Sequence, residues 1–87
     1  MNTPLDKDTV LQQFNAARKG TLMETLNITY VDADPATGKL VATMPVDSRV
    51  YQPMQILHGG ATVALAESVG SAACLLYTSD AADEVQC

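Results

Sequence analysis

Apolar positions follow one spacing at the start of the chain, another in the middle and a third toward the end. Val10, Leu11, Phe14 and Ala17 recur at near-helical intervals between a polar entry, Thr3-Pro4 with Asp6 to Asp8, and Gly20, which predicts a short amphipathic helix. Thr21 to Leu26 continues as one helical turn with Leu22, Met23 and Leu26 on its apolar side. From Asn27 the period drops to two: Ile28, Tyr30 and Asp32 alternate with Thr29 and Val31, and β-branched or aromatic residues dominate, as in a strand. Asp34-Pro35-Ala36-Thr37-Gly38 carries turn chemistry, and a second strand-like run, Lys39 to Met44, completes a predicted hairpin. Pro45 to Pro53 is an irregular connection of the kind that often carries function. From Gly59 or Gly60 onward the chain is apolar on nearly every side, which predicts a helix wrapped by other structure.

Composition narrows the class. With 87 residues, 47% apolar, 17% charged and 5% aromatic, the chain is globular, holds at most one domain and builds any core from Val, Leu, Met and Ala. The net charge of −5, with only five basic residues and none after Arg49, excludes a nucleic-acid surface. The polar first residues lack the pattern of a secretory signal, so a cytoplasmic location is expected. Ala61 to Tyr77, interrupted by Glu67, reads as shorter and less apolar than a membrane span of about 20 residues, so no membrane partner is expected. Cys74 and Cys87 have neither metal nor redox spacing, and a disulfide between them has little support.

Candidate chemistry gathers at the last helix. Gly60, Glu67 and Ser71 fall on one stripe, because seven residues make nearly two turns and eleven nearly three. Glu67 is the only charged residue between Arg49 and Asp80, and a lone buried carboxylate is expensive without partners or a task. Glycines at a helix start let a ligand approach backbone N–H groups, where the helix dipole also suits a developing oxyanion. His58, just before them, has several readings: it caps the helix, orients Gln52 or a substrate, or exchanges protons. Plainer readings stand beside these: a capping histidine, a glutamate on a solvated edge, Ser71 as a small packing residue, Gln52 as a loop amide.

The ordered motifs Ala42-Thr43-Met44-Pro45-Val46-Asp47-Ser48-Arg49, Gln52-Pro53, Leu57-His58-Gly59-Gly60-Ala61 and Leu65-Ala66-Glu67-Ser68-Val69-Gly70-Ser71 resemble the hotdog-fold acyl-CoA thioesterases. The likeness runs from about Phe14 to Ala73 and is strongest from Val41 to Ser71. The branch it resembles contains 1,4-dihydroxy-2-naphthoyl-CoA thioesterase of menaquinone biosynthesis, 4-hydroxybenzoyl-CoA thioesterase and thioesterases of phenylacetic acid degradation. The resemblance implies an α+β hotdog fold, a long central helix wrapped by an antiparallel sheet. It also implies hydrolysis of aromatic or medium acyl-CoA to free acid and CoA, with no cofactor beyond the CoA of the substrate. By the same resemblance Glu67 is the catalytic carboxylate, as nucleophile or general base. Gln52 and His58 position the thioester and its attacker, the Gly59 N–H polarises the carbonyl, and Ser71 assists the carboxylate. The family's site spans a dimer interface, so a homodimer or homotetramer is implied.

The chain departs from the family after its central helix, where further strands are expected. Residues 1–73 are read as the N-terminal part of the domain. Cys74 to Glu84 is similar to the translation of a common sequencing adapter, and 74–87 is therefore expected to be a non-native tail. Without that tail seven acidic residues face five basic ones, a net charge of −2. The absent sheet is expected to leave Val63, Leu65 and Val69 uncovered and the 87-residue chain unfolded or aggregating, and inactive. Three rivals to hydrolysis stand: a non-catalytic acyl-CoA binding module on the same scaffold, a dehydratase of the same fold class, and an interaction fragment without activity.

Overall fold

The computed structural model describes residues 6–81, with side chains through Leu76. Helix α1, Lys7–Ala16, begins where the Asp6 carboxylate accepts a hydrogen bond from the Thr9 N–H at 2.7 Å. Its buried residue is Val10, with Leu11 and Phe14 packed alongside. The helix stops short of the predicted Gly20, and residues 17–20 form a turn that ends on Gly20 at φ +76. The single helical turn expected at Thr21 to Leu26 is present as α2, Leu22–Thr25, capped by Thr21 and closed by Asn27 at φ 58.

Strands β1, Thr29–Asp34, and β2, Lys39–Thr43, pair antiparallel as the predicted hairpin. In the connecting turn the Asp34 carbonyl accepts from Thr37 and Gly38, and Gly38 takes φ +77. The register, however, differs from simple alternation. Tyr30 pairs with Ala42 and Asp32 with Val41, so Val31 is an extra residue in β1. Strict alternation from Ile28 through Tyr30 would send Asp32 inward. The bulge instead buries Ala33 and leaves Asp32 at the surface, held by Lys7 at 3.1 Å and Lys39 at 3.8 Å.

Side chains of α1 and the turn after it cover the outer edge of β1. Asn15 donates from Nδ2 to the Tyr30 carbonyl and accepts the Tyr30 N–H on Oδ1, both at 2.9 Å, so one side-chain amide replaces a neighbouring strand. Arg18 does the same for the Ile28 carbonyl at 3.0 Å. Phe14 meets Tyr30 edge-on, ring centroids 5.6 Å apart. Burial pushes the Tyr30 phenol above its ordinary pKa, with the Arg18 charge opposing.

A 3₁₀ turn at Ser48–Val50 lies in the predicted irregular connection, and α3 then runs Gly59–Ala81. The predicted wrapping of this helix is met on one side only. Ala61, Ala72 and Leu76 are buried, Leu76 beside Val10 and Ala33, whereas Val63 is 65% exposed. Gly59–Leu76 also has the length and mean hydropathy, 1.4, of a membrane span, which corrects the expectation that the run is too short and too polar for one. The carboxylate of Glu67 near its middle is the feature a span would pay most to bury. The expectation that no disulfide joins Cys74 and Cys87 falls on Cys87, which lies outside the described residues. The expected non-native tail lies within the described residues only as far as Ala81.

Candidate active site

The loop before α3 is organised by its own backbone. An isolated bridge joins Tyr51 and Leu57, the Gln52 N–H donates to Ile56 at 2.8 Å, and Gln55 closes the turn at φ 62. The His58 N–H donates to the Val50 carbonyl at 2.7 Å, which ties the entry of α3 to the end of the 3₁₀ turn. That turn is fixed in turn by Asp47, whose carboxylate accepts the Arg49 N–H at 3.0 Å and the guanidinium at 3.1 and 2.8 Å. The hydrogen bond from the Arg49 side chain leads the effects that hold the Asp47 carboxyl below its ordinary pKa.

His58 caps α3. Its Nδ1 accepts the Gly60 N–H at 2.8 Å, and its carbonyl accepts from Ala61 and Thr62 at 3.0 and 3.2 Å. Of the readings open at the sequence level, capping is the one this geometry realises. A Cβ at position 60 would lie 2.9 Å from that Nδ1, so glycine there permits the cap; at Gly59 a Cβ would meet nothing within 4 Å. Among the described residues no hydrogen bond engages the Gly59 N–H, which leaves a donor at the positive end of the helix dipole.

The stripe predicted along α3 exists. Ser71 Oγ donates to Glu67 Oε2 at 2.8 Å, pairing hydroxyl and carboxylate one turn apart. Glu67 is exposed rather than buried, so the expected desolvated carboxylate is not found within this chain, because little of the chain covers that face. Gln52 does not join the group: its side-chain oxygen accepts the Met54 N–H within its own loop. Eight residues separate Gly59 from Glu67, about 12 Å along the axis at 1.5 Å per residue. The donor and the carboxylate of one chain therefore do not converge on a single carbonyl.

A groove of about 270 Å³ opens beside the helix start, its apolar surface given by Leu22, Leu26, Val50 and Ala61, with Arg49 and His58 among its lining residues. Leu22 and Leu26 were legible only as the apolar side of a helical turn. Their place beside His58 comes from the path of the chain, for which local spacing carries no signal. Among the described residues no cluster of His, Cys, Asp and Glu has the makings of a metal site.

No family model matches the chain. Over 70 residues it is 50% identical to the proofreading thioesterase EntH of Cronobacter turicensis, covering 80% of this chain and 50% of that protein. Over 68 residues it is 48% identical to the 1,4-dihydroxy-2-naphthoyl-CoA hydrolase of Escherichia coli, covering 78% of this chain and 48% of that one. Among solved structures it superposes on a Pseudomonas aeruginosa thioesterase, crystallised as a glutamine-to-alanine variant, with TM-score 0.72 and 43% identity over 86% of this chain and 50% of that one. A Haemophilus influenzae thioesterase gives TM-score 0.68 and 38% identity, with coverages of 77% and 46%. The chain spans about half the length of the curated relatives it matches. Shared sequence over most of the chain and a shared backbone lead to one conclusion: this chain is similar to part of the hotdog-fold thioesterases, over about half of their length.

Proposed function

We propose that the intact parent protein hydrolyses acyl-CoA thioesters with aromatic or medium acyl groups, releasing the free acid and CoA. The observation that carries this reading is the Glu67–Ser71 pair. The serine hydroxyl occupies Oε2 at 2.8 Å, fixes the carboxylate's orientation and leaves Oε1 to face a reacting group. The Gly59 N–H, at the start of the same helix, is the donor assigned to the thioester carbonyl. Glu67 either attacks the carbonyl carbon or takes a proton from the water that does; in both cases the C–S bond breaks and the thiolate leaves as CoA after protonation.

Since donor and carboxylate lie about 12 Å apart along one helix, the reading requires a second copy, with Glu67 of one protomer facing the Gly59 end of the other. A homodimer or homotetramer in the cytoplasm, without metal or nucleotide cofactor, is part of the proposal. Phenylacetic acid degradation and menaquinone biosynthesis are the kinds of chemistry that would supply aromatic acyl groups. Gln52 is assigned to positioning the thioester, for which its amide must leave the Met54 N–H.

Turnover of benzoyl-CoA and several acyl-CoAs by the intact parent and its Glu67→Ala variant tests the reading. A loss of at least about 10²-fold is expected. Equal turnover in both would remove Glu67 from the chemistry, and retained acyl-CoA binding without turnover in the unsubstituted protein would favour the non-catalytic binding module.

A further inference from the structure

We infer that His58 is held as the neutral Nε2–H tautomer by the backbone that follows it, and so serves the thioester as a fixed hydrogen-bond donor and not as a base. The inference rests on the hydrolase reading for the identity of the acceptor, while the tautomer rests on geometry alone. In a neutral imidazole one nitrogen carries the proton and the other a lone pair. The Gly60 N–H points at Nδ1 from 2.8 Å, so Nδ1 must present the lone pair and the proton must sit on Nε2. A proton on Nδ1 would set two donors face to face.

The constraint is built into the chain on both sides of the ring. The His58 N–H is anchored to the Val50 carbonyl at 2.7 Å and its carbonyl receives the first helical N–H groups of α3, which fixes the backbone from which the imidazole projects. Gly60 has no Cβ to push the ring away, and a side chain there would come within 2.9 Å of Nδ1. The ring is exposed and lines the groove at the helix start, so Nε2–H remains available to a ligand. The sole lone pair of the ring being taken, His58 has no site that can accept a proton from water without breaking the cap. The proton of an attacking water therefore goes to Glu67, and the Nε2–H joins the Gly59 N–H as a second donor to the carbonyl oxygen as negative charge develops on it.

Two measurements on the intact parent protein test this. Nitrogen-15 NMR of the histidine ring at a pH where it is neutral is expected to report a protonated Nε2 and an unprotonated Nδ1; the opposite tautomer overturns the assignment whatever the activity. His58→Asn retains a side-chain oxygen able to cap α3 but lacks the Nε2 donor, whereas His58→Ala lacks both. The expected result is a melting temperature held by His58→Asn and lowered by His58→Ala, with kcat on benzoyl-CoA down about 10²-fold in both and KM little changed. A His58→Asn enzyme within about twofold of the unsubstituted kcat would reduce His58 to a cap and overturn its donor role. These outcomes separate from the hydrolase reading: an active Glu67→Ala protein removes that reading and leaves the tautomer standing, while a protonated Nδ1 removes the tautomer and leaves Glu67-dependent hydrolysis standing.

Discussion

Val10 and Val63 are the same side chain on two helices of this chain, and they end in opposite environments: Val10 is 1% exposed and Val63 is 65% exposed. Around Val10 the chain supplies its own cover. α1 lies against β1, Ala33 and Leu76 pack beside the valine, and Asn15 and Arg18 satisfy the carbonyls on the outer edge of β1. Around Val63 the neighbouring Thr62 and Ala66 are exposed as well, and only 17% of Gly59–Leu76 is buried. The difference teaches where each region keeps its information. The α1–hairpin unit, Lys7 to Thr43, closes its core with Leu76 of α3, whereas the face of α3 around Val63 is left uncovered by the described residues.

The largest consequence concerns the 87-residue chain on its own. Among the described residues a two-stranded hairpin and a sparse core are set against the ordering entropy of a long, mostly uncovered helix, and the hairpin and core are expected to lose. Heating is expected to give a broad, non-cooperative change with hydrophobic-dye binding at low temperature and no thioesterase turnover; a sharp transition accompanied by turnover would overturn the contrast between the two regions. Next in size are the two valines in the intact parent. If other structure wraps α3 there, Val63→Ala and Val10→Ala each cost about 2 kcal/mol by denaturant titration. A cost below about 0.5 kcal/mol at Val63 alone would mean that its face meets solvent in the parent as well.

A smaller effect is expected at Asn15, whose removal strands both backbone groups of Tyr30. Asn15→Ala should cost about 1–3 kcal/mol and speed amide exchange at Tyr30; unchanged exchange would show that the β1 edge is protected in some other way. The smallest is electrostatic. The Lys7 hydrogen bond leads the effects that hold the Asp32 carboxyl below its ordinary value, with desolvation opposing. A carboxyl with a depressed folded-state pKa contributes stability that is present above its unfolded value and lost as pH falls through the folded one. The tie between α1 and the hairpin should therefore weaken below about pH 4, a change absent from Asp32→Asn and diminished by salt. A side-chain titration of Asp32 at or above the ordinary carboxyl range would remove it.

Element types were legible from local pattern because local physics sets them. The 3.6-residue spacing of Val10, Leu11 and Phe14, the turn residues of Asp34 to Gly38 and the largely apolar run after Gly60 each produce the element they predict. The bulge at Val31 was not legible. Alternation alone places Asp32 with Ile28 and Tyr30, and only the partners Lys7 and Lys39, brought near by packing, favour the shifted register. The site divides in the same way. Helical periodicity put Glu67 beside Ser71 from sequence alone, since i and i+4 adjacency needs no tertiary information.

What the sequence determined by itself, then, is the set of elements, the Glu67–Ser71 pair and the likeness to thioesterases. Tertiary structure decided that Glu67 stands exposed, that Asp32 meets Lys7 and Lys39 at the surface, and that Leu22 and Leu26 lie beside His58. The physical reason is one of range. Spacing along a chain fixes neighbours within a few residues, while exposure, strand register and the lining of a groove depend on how distant segments are laid against one another.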